Sequence, residues 1–310
     1  MERNLPYTSF YLEPNKNPEY RILSFPHLAP EIIYYSKRPT LCGTFHQDKE
    51  ERLVSLSFLL AKEEKYASKL LLEKGVKYVF LSPDLFSYRK LFAESIGKSK
   101  YDFLILYNDN KEVLLSEDFL RTMYFTLYYG DGGTIYIPPT KKPYFYNYYE
   151  FEANKTYYKF RLKNYFPILS STSVYISPDV AYLSHFRLIY ESKLVEKYFS
   201  EELELMYLPS REKVFEFVKG CNIIGKTKPN TSVKITVKIK TNQNRYFTYQ
   251  NHTRSDNNGI FSIIVPYSTE DSIYPVKSVG KYIISTPFSS KEIFIPEEYV
   301  ITGKTLELKL

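Results

Sequence analysis

The chain has 310 residues, of which 44% are hydrophobic and 25% charged, with a formal net charge of +7. That length and balance suit a globular protein of two domains, large enough to bury a core. Lys and Arg are scattered among Asp and Glu with no run of five like charges, which argues against a nucleic-acid footprint and leaves a solvated surface with weak attraction to anionic lipid headgroups.

In chain order, "YRILS" (Tyr20–Ser24) is a strand candidate. Pro30–Lys37 reads as a helix, since Pro is favoured at the first helical position. Asp48–Lys74 carries Leu53, Leu56, Leu59, Leu60, Ala67, Leu70 and Leu71 at three-to-four spacing, the pattern of one helix or two, and Gly75 supplies a C-terminal stop. Val76–Leu81 is a buried strand. Ser82-Pro83-Asp84 leads into a helix over Leu85–Ile96, and Asp118–Tyr129 is a further helix closed by Gly130-Asp131-Gly132-Gly133. Residues 134–180 are rich in Tyr, Pro, Lys and Thr and predict an insertion of short strands or a hairpin. Val180–Glu191 and Lys213–Val218 close the first domain, the latter as a strand.

From Gly220 the pattern is β throughout. Val233–Lys240 alternates strictly, with Val233, Ile235, Val237 and Ile239 on one face. Asn242–Asn244 is a turn, and Ser255–Gly259 signals a hairpin before the strand Ile260–Val265. "KYIIS", "KEIFI" and "KTLELKL" add short strands. The expected fold is α+β: a mixed α/β domain over residues 1–219, then a β-sandwich or small barrel over residues 220–310.

Little in this pattern carries chemistry. The histidines His27, His46, His185 and His252 fall in four segments with no partner at metal-ligand spacing. There is no HExxH, GxSxG, P-loop or GxGxxG sequence. The "GDGG" at 130–133 follows a helix and does not open one, so it is no phosphate cradle. Asp84, Lys90 and Glu94 read as an exposed ion-pair face. Cys42 and Cys221 read as buried free thiols. Thirty-two Tyr and 22 Phe stand against no Trp, so the chain can pack a core and still present a polar aromatic surface. The longest apolar run, Leu53–Ala61, is too short to span a bilayer, and the N-terminus lacks the apolar centre of a signal peptide. Three Asn-X-Ser/Thr sequons, at Asn154, Asn230 and Asn251, are candidate glycosylation sites.

Longer stretches resemble a family. "VFEFVKGCNIIGKTKPNTSVKITVKIKTNQNRYFTYQNHTRSDNNGIFSIIVPYST" (Val214–Thr269) is similar to the β-domain near the C-terminus of archaeal oligosaccharyltransferase catalytic subunits. "GVKYVFLSPD" (Gly75–Asp84), "FLRTMY" (Phe119–Tyr124), "HFRLIYES" (His185–Ser192) and "ITGKTLEL" (Ile301–Leu308) fit the same family in the same order. The resemblance points to the extracytoplasmic globular portion of short-tailed members.

Such a resemblance implies transfer of a lipid-linked glycan to Asn in Asn-X-Ser/Thr. In the family a divalent ion, Mn or Mg, is held by carboxylates of a polytopic membrane portion and acts as a Lewis acid on the leaving diphosphate. These 310 residues supply no such ligand set, so no cofactor and no catalytic residue are expected here. The family's globular part reads the acceptor hydroxyl with a Trp-Trp-Asp-Tyr-Gly motif. The segments flanking that motif resemble "YRILS" and "EIIYYSKRP", which here enclose Phe25, Pro26, His27, Leu28 and Ala29. Both indole donors and the carboxylate are replaced, and a pocket without such groups loses the basis for hydroxyl discrimination. A family helix bearing a Lys is similar in place to "SPDLFSYRKLFAESIG", with Asp84 and Lys90 at its polar positions.

The implied acceptor-facing residues are therefore Phe25, His27, Asp84 and Lys90, in a degenerate site. The expected function is a noncatalytic or accessory homologue that binds acceptor peptide, glycan or a polytopic membrane glycotransferase subunit. It would be extracytoplasmic and membrane-associated, without a transmembrane segment or nucleic-acid partner of its own. The alternatives are the soluble part of a split or truncated transferase, and a structural cell-surface module.

Overall fold

The computed structural model describes residues 5–10, 16–42, 49–82, 104–107, 112–115, 121–128, 130–133, 149–154, 157–162, 181–193, 195–197, 208–210 and 212–309. The fold is α+β. Its first sheet is mixed, in the order β1 (Arg21–Leu23), β2 (Val76–Leu81), β10 (Lys213–Phe217), β7 (Phe186–Glu191). β1 and β2 run parallel, and β10 is antiparallel to both β2 and β7. A parallel pair needs a crossover, and three helices lie in it: α1 (Ala29–Ser36), α2 (Lys49–Leu60) and α3 (Glu64–Glu73).

The periodic stretch 48–74 is broken at Ala61-Lys62-Glu63 into α2 and α3. α2 buries Leu56, Phe58 and Leu59, and α3 buries Ala67 and Leu71. Gly75 follows at φ +64, a left-handed step glycine takes without a Cβ clash. β2 is buried on both sides, as its near-continuous apolar text requires. Val79 and Leu81 join the main core, while Tyr78 and Phe80 join a second cluster with Tyr20, Ile22 and Ile32.

The helix expected over Asp118–Tyr129 is present as α4 (Met123–Tyr128), all six residues of which are buried. Within residues 134–180 a hairpin pairs β5 (Tyr149–Asn154) with β6 (Tyr157–Leu162). It extends a sheet that begins with β3 (Leu104–Tyr107) and β4 (Glu112–Leu115). β8 (Val195–Lys197) and β9 (Leu208–Ser210) form a separate ribbon. The helix expected over Leu85–Ile96 lies outside the described residues.

Beyond Gly220 two sheets face each other. One has the order β14 (Ile260–Val265), β11 (Cys221–Lys226), β17 (Thr305–Lys309). The other runs β13 (Tyr246–Arg254), β12 (Ser232–Lys240), β15 (Lys277–Ser285), β16 (Ser290–Ile293). Val233, Ile235, Val237 and Ile239 of β12 all turn inward, onto Ile223, Phe261, Ile263 and Val265 of the opposite sheet. A Cβ on Gly225 would lie 2.4 Å from the Phe261 ring, so that ring owes its seat to the missing side chain. The helix α5 (Glu297–Thr302) buries Val300 at the base of the sandwich.

The Ser255–Gly259 turn is real, but its expected role as a hairpin is corrected. Asp256 Oδ1 accepts from the N–H of Asn258 and of Ile260, each at 2.8 Å. Its two flanking strands, β13 and β14, pair with different neighbours, so the turn carries the chain from one sheet to the other. Turn chemistry is local, whereas strand partnership is set by which faces can be buried together.

The apolar core runs without interruption from the mixed sheet into the sandwich. Leu23, Phe25, Val79, Tyr124 and Phe215 belong to the same cluster as Ile235, Tyr249 and Phe261. Cys42 and Cys221 are buried and not joined by a disulfide, as expected, and the Cys42 thiol lies 3.3 Å from the Ser55 hydroxyl.

Candidate functional site

The stretch Phe25–Ala29 leaves the C-terminal end of β1, beside the C-terminal end of its parallel neighbour β2. Open α/β sheets present ligands at that edge. Phe25 has no solvent exposure; its ring meets Tyr124 edge-on at 5.5 Å and His27 at 5.9 Å. Tyr124 is fixed in turn, since its hydroxyl donates to the Ser82 carbonyl at 2.9 Å. Pro26–Leu28 forms one turn of 3-10 helix with Pro26 in its first turn, and α1 continues from it. Pro26, His27 and Leu28 are half-buried, and Ala29 is buried.

α1 ends at Ser36, one residue before the expected end at Lys37. Lys37 takes the left-handed conformation at φ +52, and its N–H donates to Ile33. The Arg38 guanidinium donates to the carbonyls of Ser36, Lys37 and Leu5, which satisfies the orphan acceptors of a helix C-terminus. The frame around positions 25–29 is therefore rigid. Within it Phe25 serves the core, and His27 alone of the five side chains can donate or accept a hydrogen bond.

Asp84 and Lys90 lie outside the described residues. In the chain they follow Ser82, which sits at the end of β2 and accepts the Tyr124 hydroxyl. Among the described residues no three His, Cys, Asp or Glu side chains gather as a metal-holding group, and no helix is long and apolar enough to cross a membrane.

The sequons part company in the structure. Asn230 is exposed in a turn at φ +53, and its amide nitrogen donates to Asn257 at 3.2 Å. Asn251, the third candidate acceptor, is a buried amide. It is 8% exposed and donates to the Ser184 hydroxyl at 3.2 Å and the Ile264 carbonyl at 3.3 Å. Asn154 ends β5.

Sequence reasoning missed two buried charge networks at the junction of the mixed sheet and the sandwich. In the first, Asp131 of the "GDGG" turn accepts from Lys213 Nζ at 2.7 Å and from Arg245 Nη2 at 2.8 Å. Arg245 Nη2 also donates to Glu191 at 2.7 Å, and Thr241 donates to Glu191 at 2.6 Å. Burial pushes the Asp131 carboxyl up, but the charges of Arg245 and Lys213 outweigh it and hold the group down to about 2. In the second network the Arg187 guanidinium bridges Glu216 and Glu297. The Tyr274 hydroxyl donates to Glu216 at 3.1 Å and contacts the Tyr78 hydroxyl at 2.9 Å. Burial of Glu297 works against its charge, but hydrogen bonds and attraction from Arg187 prevail and lower its pKa. Each network joins residues before Gly220 to residues after it. The signal for them in sequence was only a charged residue inside an apolar or glycine-rich stretch.

Residues 220–306 match the family model of the archaeal glycosylation protein B long peripheral domain. Over those residues the chain is similar to a peripheral domain of the long kind, where the resemblance in the sequence pointed to short-tailed members. It is 42% identical over 99 residues to dolichyl-phosphooligosaccharide-protein glycotransferase 3 of Archaeoglobus fulgidus, covering 32% of this chain and 11% of that protein. To glycotransferase 1 of the same organism it is 31% identical over 75 residues, 24% of this chain and 12% of that one. Among solved structures, the A. fulgidus oligosaccharyltransferase in complex with Zn and sulfate superposes with a TM-score of 0.66 at 20% identity, over 96% of this chain and 41% of that chain. AglB of A. fulgidus, solved with an inhibitory peptide and a dolichol-phosphate, gives 0.65 over 96% of this chain and 39% of that chain. The fold is shared over nearly the whole chain, while the chain spans well under half the length of these relatives.

Proposed function

We propose that this protein is an accessory, noncatalytic homologue of the oligosaccharyltransferase extracytoplasmic domain. It serves protein N-glycosylation by binding acceptor peptide, glycan or a membrane glycotransferase subunit. The observation that carries this reading is the use of positions 25–29. Phe25 is spent on the core against Tyr124, and Pro26, Leu28 and Ala29 offer no side-chain hydrogen bond to an acceptor hydroxyl. A divalent ion, if the assembled system uses one, would be held by the partner's membrane portion. Extracytoplasmic location at a membrane surface follows from the same reading.

A direct test is to titrate the chain with Asn-X-Thr and Asn-X-Ala peptides by calorimetry. The expected affinities agree within about twofold, because a site without hydroxyl partners discriminates weakly. Preference for Thr by an order of magnitude would sink the reading. It would favour the second one, the globular part of a split transferase, which the shared fold over 96% of the chain supports.

The sequons give an independent check on location. Glycopeptide mapping of native material should find any glycan on Asn230 and none on Asn251, whose amide nitrogen is already bonded inside the sandwich. An occupied Asn251 would show that glycosylation precedes folding of β13.

A further inference from the structure

We infer that the outer face of the β13–β12–β15–β16 sheet is a docking surface for an anionic lipid bilayer. The charges that look scattered in the sequence are gathered there. These four strands hold seven Lys and Arg residues against one acid, Glu292, so nearly all of the chain's net charge of +7 sits on one sheet. Strand alternation turns six of the seven outward: Lys234, Lys238, Lys240, Arg254, Lys277 and Lys281. Lys240 lies directly opposite Lys277. Like charges facing each other across strands destabilise a sheet, so folding alone does not favour this arrangement. Lys277 meets Asp271 at 3.1 Å and Lys281 meets Glu292 at 3.5 Å, but all four side chains are well exposed, so these two pairs offset it little.

A bulge lays part of this face open to solvent. Between Thr236 and Lys238 the partner strand advances from Ile283 to Val279, a bulge that holds extra residues around Gly280. Gly280 takes φ +84 with open space beside it. Bulges bend a strand and re-aim its side chains, and this one leaves Val279, Gly280 and Lys281 exposed. Val279 and Ile283 are each nearly half exposed among the lysines. The Tyr246 ring lies beneath Lys238 Nζ at 4.5 Å and Lys240 Nζ at 5.8 Å. Cations interleaved with small apolar tips and a Tyr ring match the headgroup region of an anionic membrane. A single-stranded polynucleotide would call for a row of stacking platforms, and these strands turn one Tyr or Phe ring outward, Tyr246.

Vesicle flotation tests this with the full chain. The protein is expected to float with vesicles containing phosphatidylglycerol, to stay behind with pure phosphatidylcholine, and to be released by high salt. Each lysine near the surface contributes about fivefold to binding, so K238Q/K240Q/K281Q should lose about a hundredfold. The same charge change elsewhere, K65Q/K69Q/K226Q, should cost no more than about twofold. Unchanged urea midpoints for both triple variants show that the fold is retained. Equal losses in the two variants overturn the inference, because net charge alone would then explain binding. So does absence of flotation with phosphatidylglycerol, including the case where the protein binds poly-glutamate or duplex DNA instead.

Discussion

Replacing Arg187 by Ala is expected to lower the unfolding free energy by about 3–5 kcal/mol, the cost of breaking a buried charge pair from one side. The Arg187 side chain is 4% exposed and that of Glu216 is 1% exposed. Its fork donates to Glu216 from Nε and Nη2, and to Glu297 from Nη1 and Nη2. Once it is gone, Glu216 keeps the Tyr274 hydroxyl and the Lys77 ammonium at 3.3 Å, but two carboxylates lose their shared counter-charge. Arg187→Lys keeps a charge and loses the planar fork, so it should fall between wild type and Ala. Urea unfolding measures this as a drop in midpoint with unchanged slope. A loss under about 1 kcal/mol would mean that water reaches the carboxylates and screens the network.

Asp131→Asn is expected to cost about 3–5 kcal/mol at neutral pH, because it leaves Lys213 and Arg245 buried with Glu191 as their one remaining carboxylate in the network. It should also change the shape of the acid-stability curve. The Asp131 carboxyl is held down to about 2 in the folded state, against an ordinary 3.8. A depressed folded pKa contributes stability that is present above the unfolded value and is lost as pH falls through the folded one. Asp131 therefore supports the fold above pH 4 and stops doing so towards pH 2, a change of roughly 2 kcal/mol. In the Asn variant that part of the acid limb should be missing. Urea midpoints measured across this window decide the matter: parallel curves for wild type and variant would mean that the titrating support comes from other carboxylates.

Both predictions rest on residues that looked ordinary in the sequence. Asp131 sat in a glycine-rich turn, and its partners Lys213 and Arg245 are 82 and 114 positions away. No local period links such residues, so only the packed chain reveals them as one group. The same holds for the cations of β12 and β15. They are interleaved with apolar residues along the chain, yet alternation and strand pairing place them on one face. Conversely, the periodic text of Val233–Lys240 and of Asp48–Lys74 was legible because burial of one face imposes a repeat on neighbouring residues. The frame of positions 25–29 was visible in "YRILS" and "EIIYYSKRP"; the commitment of Phe25 to the core was not, since it depends on Tyr124 from a distant helix.

By itself the sequence determined the α+β class, the inward stripe of the long sandwich strand and the stop at Gly75. Each of these is a local property of backbone conformation or of side-chain chemistry. Only the tertiary structure decided that the Ser255–Gly259 turn joins two sheets, that Asn251 is an interior amide, and that buried ion networks join the sandwich to the mixed sheet. Those outcomes depend on which surfaces can be removed from water together, and that selection acts between residues far apart in the chain.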